Sequence, residues 1–322
     1  MEKLSFVIPC YGSEHTIEGV TNQIKEVVEA HKGYDYEIIL VNDCSPDNVW
    51  QVITKLCEQD SHIRAICLAK NFGQHSALMA GYTYVTGDYI ATLDDDGQTP
   101  AEEVFKLVDK VKEGYDVAYG YYSERKDNLF RKFGTFVNNK MLETMIEKPK
   151  DVHLTSYFVA RRYIIDEITK YQNPYPYIWG LVLRSTKNIV NVEINHRARA
   201  EGKSGYTLGK LLNLWMNGFT AFSVKPLRIA TGMGVATSGI GVLFIIFTIV
   251  KKLMNPELVP GYSSLMAVLL FIGGMLMVML GLIGEYVGRI YICINASPQF
   301  VIGQQLNLTP QDMVCKEKDN RE

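Results

Sequence analysis

The stretch Tyr89-Ile90-Ala91-Thr92-Leu93-Asp94-Asp95-Asp96-Gly97-Gln98-Thr99-Pro100 decides how the chain is read. A short apolar run with β-branched and aromatic residues ends in three carboxylates, a glycine and a proline that can open a helix. This is the pattern of a buried strand delivering acidic side chains to its carboxyl end, where open α/β sheets bind ligands. Like charges this close repel one another unless a cation sits between them. Three readings stay open at this point. A solvated acidic turn is the ordinary fate of a charge run. A calcium loop matches in part, because Glu103 follows Gly97 by six residues, but its first ligand position falls on Thr92 and a strand rather than a helix leads in. The third is an Asp94-x-Asp96 pair with Gln98 holding Mg²⁺ or Mn²⁺, phosphate oxygens completing the shell. Alternate residues leaving a strand end can reach one ion, and Gly97 permits the sharp turn.

Working outward, the preceding residues alternate between strand-like and helix-like runs. Leu4 to Pro9, Tyr36 to Val41, Ile63 to Leu68 and Asp116 to Tyr119 join Tyr89 to Leu93 as expected strands. Helices are expected from about His15 to Ala30, Asn48 to Glu58, Gln74 to Val85 and Pro100 to Glu113. Such alternation predicts an α/β fold, a mostly parallel sheet with helices on both faces. Each turn at a strand's carboxyl end carries polar groups: Tyr11 and Glu14, Asp43 and Asp47, Lys70 and Gln74, then the Asp cluster. The functional edge is therefore identifiable from order alone. No GxGxxG or GxxxxGK[ST] occurs, which argues against a dinucleotide fold and a P-loop.

The chain of 322 residues has a formal net charge of −2, without the basic footprint of a nucleic-acid binder. Its six cysteines show no CxxC pair and no zinc spacing, as reduced thiols on the cytosolic side would. The start runs directly into a strand, so no cleaved targeting segment is expected.

The second half differs. Ile229 to Val250 is 22 residues without a charge and Leu258 to Gly284 is 27 more, each enough to cross a hydrocarbon core of about 30 Å. A pair of soluble core helices is the alternative, but neither run has a polar face. Gly232, Gly234, Gly239, Gly241, Gly273, Gly274, Gly281 and Gly284 suit close helix packing. Lys210, Lys225, Arg228 and Arg289 flank the runs, against Lys251 and Lys252 between them, which favours both termini in the cytosol. Leu208, Leu211, Leu212, Trp215, Phe219 and Phe222 recur at helical spacing, as in a helix lying in the membrane interface or an amphipathic core helix. The expected organisation is a catalytic domain over 1–204, an interface helix over 205–228, two transmembrane helices over 229–290 and a cytosolic tail over 291–322.

With these residues in hand, the chain resembles the inverting family 2 glycosyltransferases of GT-A fold, and among them the polyprenyl-phosphate type. Val7-Ile8-Pro9-Cys10-Tyr11-Gly12-Ser13-Glu14 resembles VxPxYNEE, and Val41-Asn42-Asp43-Cys44-Ser45-Pro46-Asp47 resembles VDDGSxD. Asn71-Phe72-Gly73-Gln74-His75-Ser76-Ala77 is similar to NxGxxxA, and Leu93 to Gln98 to MDADLQ. Arg199 to Tyr206 resembles RxxGxSKY, and Gly284 to Tyr291 resembles GEYxGRIY. Asn42 stands where an Asp is usual, Gly205 replaces the Lys of SKY, and Tyr157 falls where several relatives carry a small or acidic residue.

The resemblance implies transfer of one sugar from a nucleotide sugar, with UDP-glucose the expected donor, to undecaprenyl phosphate at the inner face of a bacterial plasma membrane. Asp94, Asp96 and Gln98 would hold Mg²⁺ or Mn²⁺, which neutralises the leaving diphosphate, with Arg199, Lys203 and Ser204 as further donors. Pro9, Tyr11, Glu14, Asp43, Gly73, Gln74 and Asp95 would bind the nucleotide sugar. Arg125 and Arg131, with Lys126 between them, would clamp the lipid phosphate or else form a solvated basic helix start. Tyr177 and Trp179 shape the sugar pocket, while His153 and His196 are read as structural. A homo-oligomer is expected. Two other classes stay open: a processive polysaccharide synthase, whose QxxRW segment is absent, and an inactive scaffold, which would be expected to lose Asp94 or Asp96.

Overall fold

A computed structural model describes residues 1–121, 143, 148–149, 151–195, 225–254, 261–295 and 297–308. The chain divides into two compact units, residues 1–206 with 297–322, and residues 207–296.

The first unit is built on strands β1 (Glu2–Cys10), β2 (Tyr34–Asn42), β3 (Ile63–Leu68) and β4 (Tyr89–Thr92). Helices α1 (Ile17–Ala30), α2 (Val49–Gln59) and α3 (Gln74–Tyr82) connect them, and α4 (Val104–Lys112) follows β4 after a turn of 3₁₀ helix. β1 and β2 show an unbroken buried run from their third residue, as strands covered on both faces must. Leu4, Phe6, Ile8, Ile38 and Leu40 lie in one core with α1, α2 and α4. On the other face α3 lies close: a Cβ added to Gly81 would come within 2.5 Å of Val7 Cγ1, so only glycine admits this approach.

Beyond β4 come β5 (Val117–Tyr121), β6 (Phe158–Arg161), α5 (Arg162–Thr169), α6 (Ile178–Ser185) and β7 (Ile189–Glu193). Among the described residues the sheet has eight strands in the order β7-β5-β6-β4-β1-β2-β3-β8, with β8 at Ile302–Leu306. The pairs β1–β2, β1–β4, β2–β3 and β5–β7 are parallel, whereas β4–β6, β5–β6 and β3–β8 are antiparallel. The expected mostly parallel sheet is therefore corrected to a mixed one: a parallel centre with antiparallel insertions on both sides. The strand after the apolar helices was not expected at all. Residues 291–322, read as a tail, send Ile302–Leu306 back along β3, and Asn307 Nδ2 donates to the carbonyls of Cys57 and Ile63 at 2.7 and 2.8 Å.

The second unit contains two long helices, α7 (Lys225–Met254) and α8 (Tyr262–Ile294). Within α8, Phe271–Ile294 is long and apolar enough to cross a membrane by length and composition, the one such stretch among the described residues. Val235, Ile240, Leu243 and Phe247 on α7, and Leu276, Met277, Val278 and Leu280 on α8, are exposed. The helices touch where Thr237 Oγ1 donates to Met275 Sδ at 3.4 Å and where Gly234 faces the Met279 side chain. Among the described side chains, Gly234 is the one of the eight glycines whose added Cβ would meet the other helix. The interface helix lies outside the described residues, apart from 225–228, which already belong to α7.

Candidate active site

The sheet order places the site. From β1 the chain builds outward through β2 and β3, then returns to add β4 on β1's other side. The reversal opens a crevice at the carboxyl ends of β1 and β4, the position at which doubly wound sheets take ligands. Tyr11, 55% exposed, and the Asp94–Asp96 run face each other there across one strand spacing.

The turns at this edge are tied to one another rather than separately solvated. Asp95 Oδ2 accepts from the Tyr11 backbone N–H at 2.8 Å, and Thr16 Oγ1 donates to the Asp95 carbonyl at 2.6 Å. The Gly12 N–H donates to Ser45 Oγ at 2.8 Å, the Glu14 N–H to Asp47 Oδ2 at 3.0 Å, and the Asn48 N–H to Glu14 Oε2 at 3.0 Å. Asp43, 3% exposed, takes the N–H groups of Phe72 and Gly73 on its two oxygens at 2.7 and 2.8 Å. Burial pushes the Asp43 carboxyl up and those two donors pull it back down. Asn42 Oδ1 accepts from the Ser45 N–H while its amide donates to Cys67 Sγ at 3.3 Å. A carboxylate could accept the first but not give the second, which explains the Asn at this position.

Asp94 is the centre of the arrangement. The antiparallel register pairs Thr92 with Phe158, so two residues on Asp94 meets Ser156. Ser156 Oγ donates to Asp94 Oδ2, and Gln74 Nε2 donates to Asp94 Oδ1 at 3.0 Å. Burial pushes the Asp94 carboxyl up to about 6; the charges of Asp96 and Asp95 push the same way, and the Ser156 and Gln74 hydrogen bonds act against them. Asp96 Oδ1 accepts the Gln98 N–H at 3.0 Å, closing the turn at Gly97, whose φ of 71° a side chain would resist.

Among the described residues no three His, Cys, Asp or Glu side chains are gathered as a metal site. The oxygen donors this turn carries are the Asp94 and Asp96 carboxylates and, two residues on, the Gln98 amide. That set fits a hard divalent cation completed by water and phosphate, and does not suit zinc or copper.

Behind Gln74 and Ser156 stands a cluster of rings. His75, Tyr177 and Trp179 lie at centroid distances of 5.5 Å from one another, each pair edge-on. Trp179 Nε1 donates to the Thr155 carbonyl at 3.0 Å, and the Ile178 N–H to His75 Nδ1 at 3.4 Å. Burial lowers the His75 imidazole to about 4, so it is neutral near pH 7. Tyr157 is 2% exposed with its hydroxyl on the Pro100 carbonyl, which makes it a wall of the core. His153 is held through its backbone by Asn191 and stacks on Tyr121.

Thus Pro9, Tyr11, Glu14, Asp43, Gly73, Gln74, Asp94, Asp95, Asp96 and Gln98 all fall at one sheet edge. Asp95 and Glu14, expected at the donor, are already engaged in bracing turns. Ser156 and His75 were not singled out in the sequence; the signal for Ser156 was its distance from β6, which requires knowing the pairing. Arg125, Lys126, Arg131, His196, Arg199, Lys203 and Ser204 lie outside the described residues. The segments that carry them follow β5 and β7, whose carboxyl ends lie at the same edge.

This sheet and site are those of a GT-A-like transferase. Residues 5–169 match glycosyl transferase family 2, and residues 225–290 match the GtrB C-terminal hairpin. The chain belongs to glycosyl transferase family 2, in its polyprenyl-phosphate branch. It is 35% identical over 324 residues to the undecaprenyl-phosphate 4-deoxy-4-formamido-L-arabinose transferase of Yersinia pestis (strain Pestoides F), covering 97% of this chain and 98% of the relative. It is 32% identical to the uncharacterized glycosyltransferase YkcC of Bacillus subtilis (strain 168), covering 92% of each. In fold it is similar to glucosyl-3-phosphoglycerate synthase from Mycobacterium tuberculosis, solved with Mn²⁺, UDP-glucose and phosphoglyceric acid, at TM-score 0.50 and 18% identity over 67% of this chain and 78% of that one.

Proposed function

We propose that this protein transfers one sugar from a nucleotide sugar to the phosphate of undecaprenyl phosphate, inverting the anomeric centre, at the cytosolic face of a bacterial inner membrane. The observation that carries the reading is the Asp94–Asp96 turn at the switch point of a sheet whose chain continues into an apolar helical hairpin. One partner is soluble and charged, the other a lipid.

Tyr11, with its ring exposed, and Pro9 line the base and ribose end. Asp43 uses two of its roughly four lone-pair directions on backbone, leaving acceptor capacity for the base. Asp94, Asp96 and Gln98 hold Mg²⁺ or Mn²⁺, which supplies charge neutralisation to the leaving diphosphate. Arg199, Lys203 and Ser204 add donors to the same diphosphate, and Arg125 and Arg131 bind the acceptor phosphate. Attack is by a phosphate oxygen on the anomeric carbon; the bond to the nucleoside diphosphate breaks and its electron pair leaves with that group. A phosphate monoester with a second pKa of about 6 is already largely dianionic near neutrality. No general base is needed, in keeping with a buried Tyr157. Exposed glycine-bearing faces of α7 and α8 suit association between copies of the chain.

Two donors compete. UDP-glucose is the sequence expectation, while relatives at 33–35% identity are named for 4-deoxy-4-formamido-L-arabinose. Membranes containing the protein, incubated with Mn²⁺, undecaprenyl phosphate and each labelled donor in turn, should yield a chloroform-extractable sugar lipid with one of them. Asp96→Ala should lower that yield by about a hundredfold or more. No lipid product with any donor, or full activity of Asp96→Ala, would overturn the reading.

A further inference from the structure

We propose that Ser156 and Gln74 are positioning residues for the divalent cation: they clamp the two oxygens of Asp94, and the His75–Tyr177–Trp179 ring cluster locks both in place. The inference rests on the proposed metal reading and adds to it the chain's own means of aiming the carboxylate. Gln74 Nε2 takes Oδ1 and Ser156 Oγ takes Oδ2, so neither oxygen of Asp94 rotates freely. An ionised carboxylate offers about four acceptor directions; these two donors use one on each oxygen and leave the others for a cation. The two donors come from different elements, the first residue of α3 and the lead into β6. What joins those elements is the ring cluster. His75 sits beside Gln74, Trp179 Nε1 holds the carbonyl of Thr155 beside Ser156, and the Ile178 N–H donates to His75 Nδ1. Movement of the α6 start would therefore be passed to both donors together. Of the neighbouring carboxylates, Asp95 Oδ2 accepts the Tyr11 N–H, and Asp96 Oδ1 accepts the N–H of its own turn.

Groups that orient a metal ligand typically change metal affinity by 10–100-fold when removed. The test is Mn²⁺ binding to the full-length, detergent-solubilised protein with UDP present, read by the electron paramagnetic resonance of free Mn²⁺, alongside the Mn²⁺ dependence of transfer. Ser156→Ala and Gln74→Met should each weaken Mn²⁺ binding by about tenfold, and Ser156→Ala should leave kcat at saturating Mn²⁺ within about threefold of the parent. Ser156→Thr, which keeps the hydroxyl, should restore binding. Trp179→Phe, which keeps a ring but loses the bond to Thr155, should show a smaller shift in the same direction. Thermal midpoints within a few degrees of the parent show that the variants fold; Ser156→Thr keeps the comparison valid where Ser156→Ala does not. Unchanged Mn²⁺ binding in both Ser156→Ala and Gln74→Met, with the parent active, overturns this inference and leaves the proposed function standing. A parent that binds no Mn²⁺ with UDP overturns the metal reading and this inference with it.

Discussion

Cys44 holds φ at 51°, in the left-handed region, at the turn after β2. An L residue with a Cβ meets its following carbonyl there and loses roughly 1–2 kcal/mol, while glycine does not. Part of that gain is returned as the extra freedom glycine has when unfolded, so Cys44→Gly should stabilise the protein by about 0.5–1 kcal/mol. Cys44→Val, branched at Cβ, should destabilise by more than about 1 kcal/mol. Thermal melts of the detergent-solubilised protein check both, and a lower midpoint for Cys44→Gly than for the parent would contradict the strain argument. At this scale the acidic pair was legible because strand, alternation and turn glycine are local signals. Ser156 was not, because its meeting with Asp94 is set by pairing across 62 residues of chain. The bond from the Tyr11 N–H to Asp95 was not legible either, because sequence displays a carboxylate but not the backbone N–H bound to it.

Among the elements, β1 to β5 and the helices between them stood within a few residues of their expected places, because buried parallel strands are continuous apolar runs. β6 has four residues and is paired on both sides only by tertiary contact, so no local pattern marks it. β8, Ile302-Gly303-Gln304-Gln305-Leu306, has two glutamines and a glycine and is exposed or half-exposed throughout. Its place is decided by partners: Trp50 Nε1 donates to Gln304 at 2.8 Å, and Gln305 donates to the Tyr84 hydroxyl at 2.6 Å. With Asn307 these side chains make four hydrogen bonds, beyond the ladder on β3. At about 1 kcal/mol net for each, a chain stopped after Phe300 should lose several kcal/mol. Its thermal midpoint should fall by roughly 10 °C. The bared edge of β3 should also make it aggregate more readily. An unaltered midpoint would mean that β8 only decorates the sheet.

At the scale of the whole molecule, β8 has a consequence for the membrane. Residues up to 206 and residues from 297 belong to one folded unit, and β8 lies in the same sheet as β1. A folded sheet cannot straddle a bilayer, so the chain between must cross an even number of times. We therefore predict that, with Phe271–Ile294 as one span, α7 returns the chain, as the charge-free run from Ile229 to Val250 leads one to expect. Hydropathy suggested two crossings; β8, on which the parity argument rests, carried no local signal in the sequence. On that prediction Asn255 is reached from the side of the bilayer opposite the sheet. In spheroplasts carrying Cys44→Ser, Cys293→Ser, Cys315→Ser and Asn255→Cys, a membrane-impermeant maleimide should label the protein before lysis. In the parent with Cys293→Ser and Cys315→Ser, the exposed Cys44 should label only after lysis. Labelling of Asn255→Cys that requires lysis would place the hairpin on one face of the bilayer, leaving zero as the even number, and Phe271–Ile294 would then not be a span.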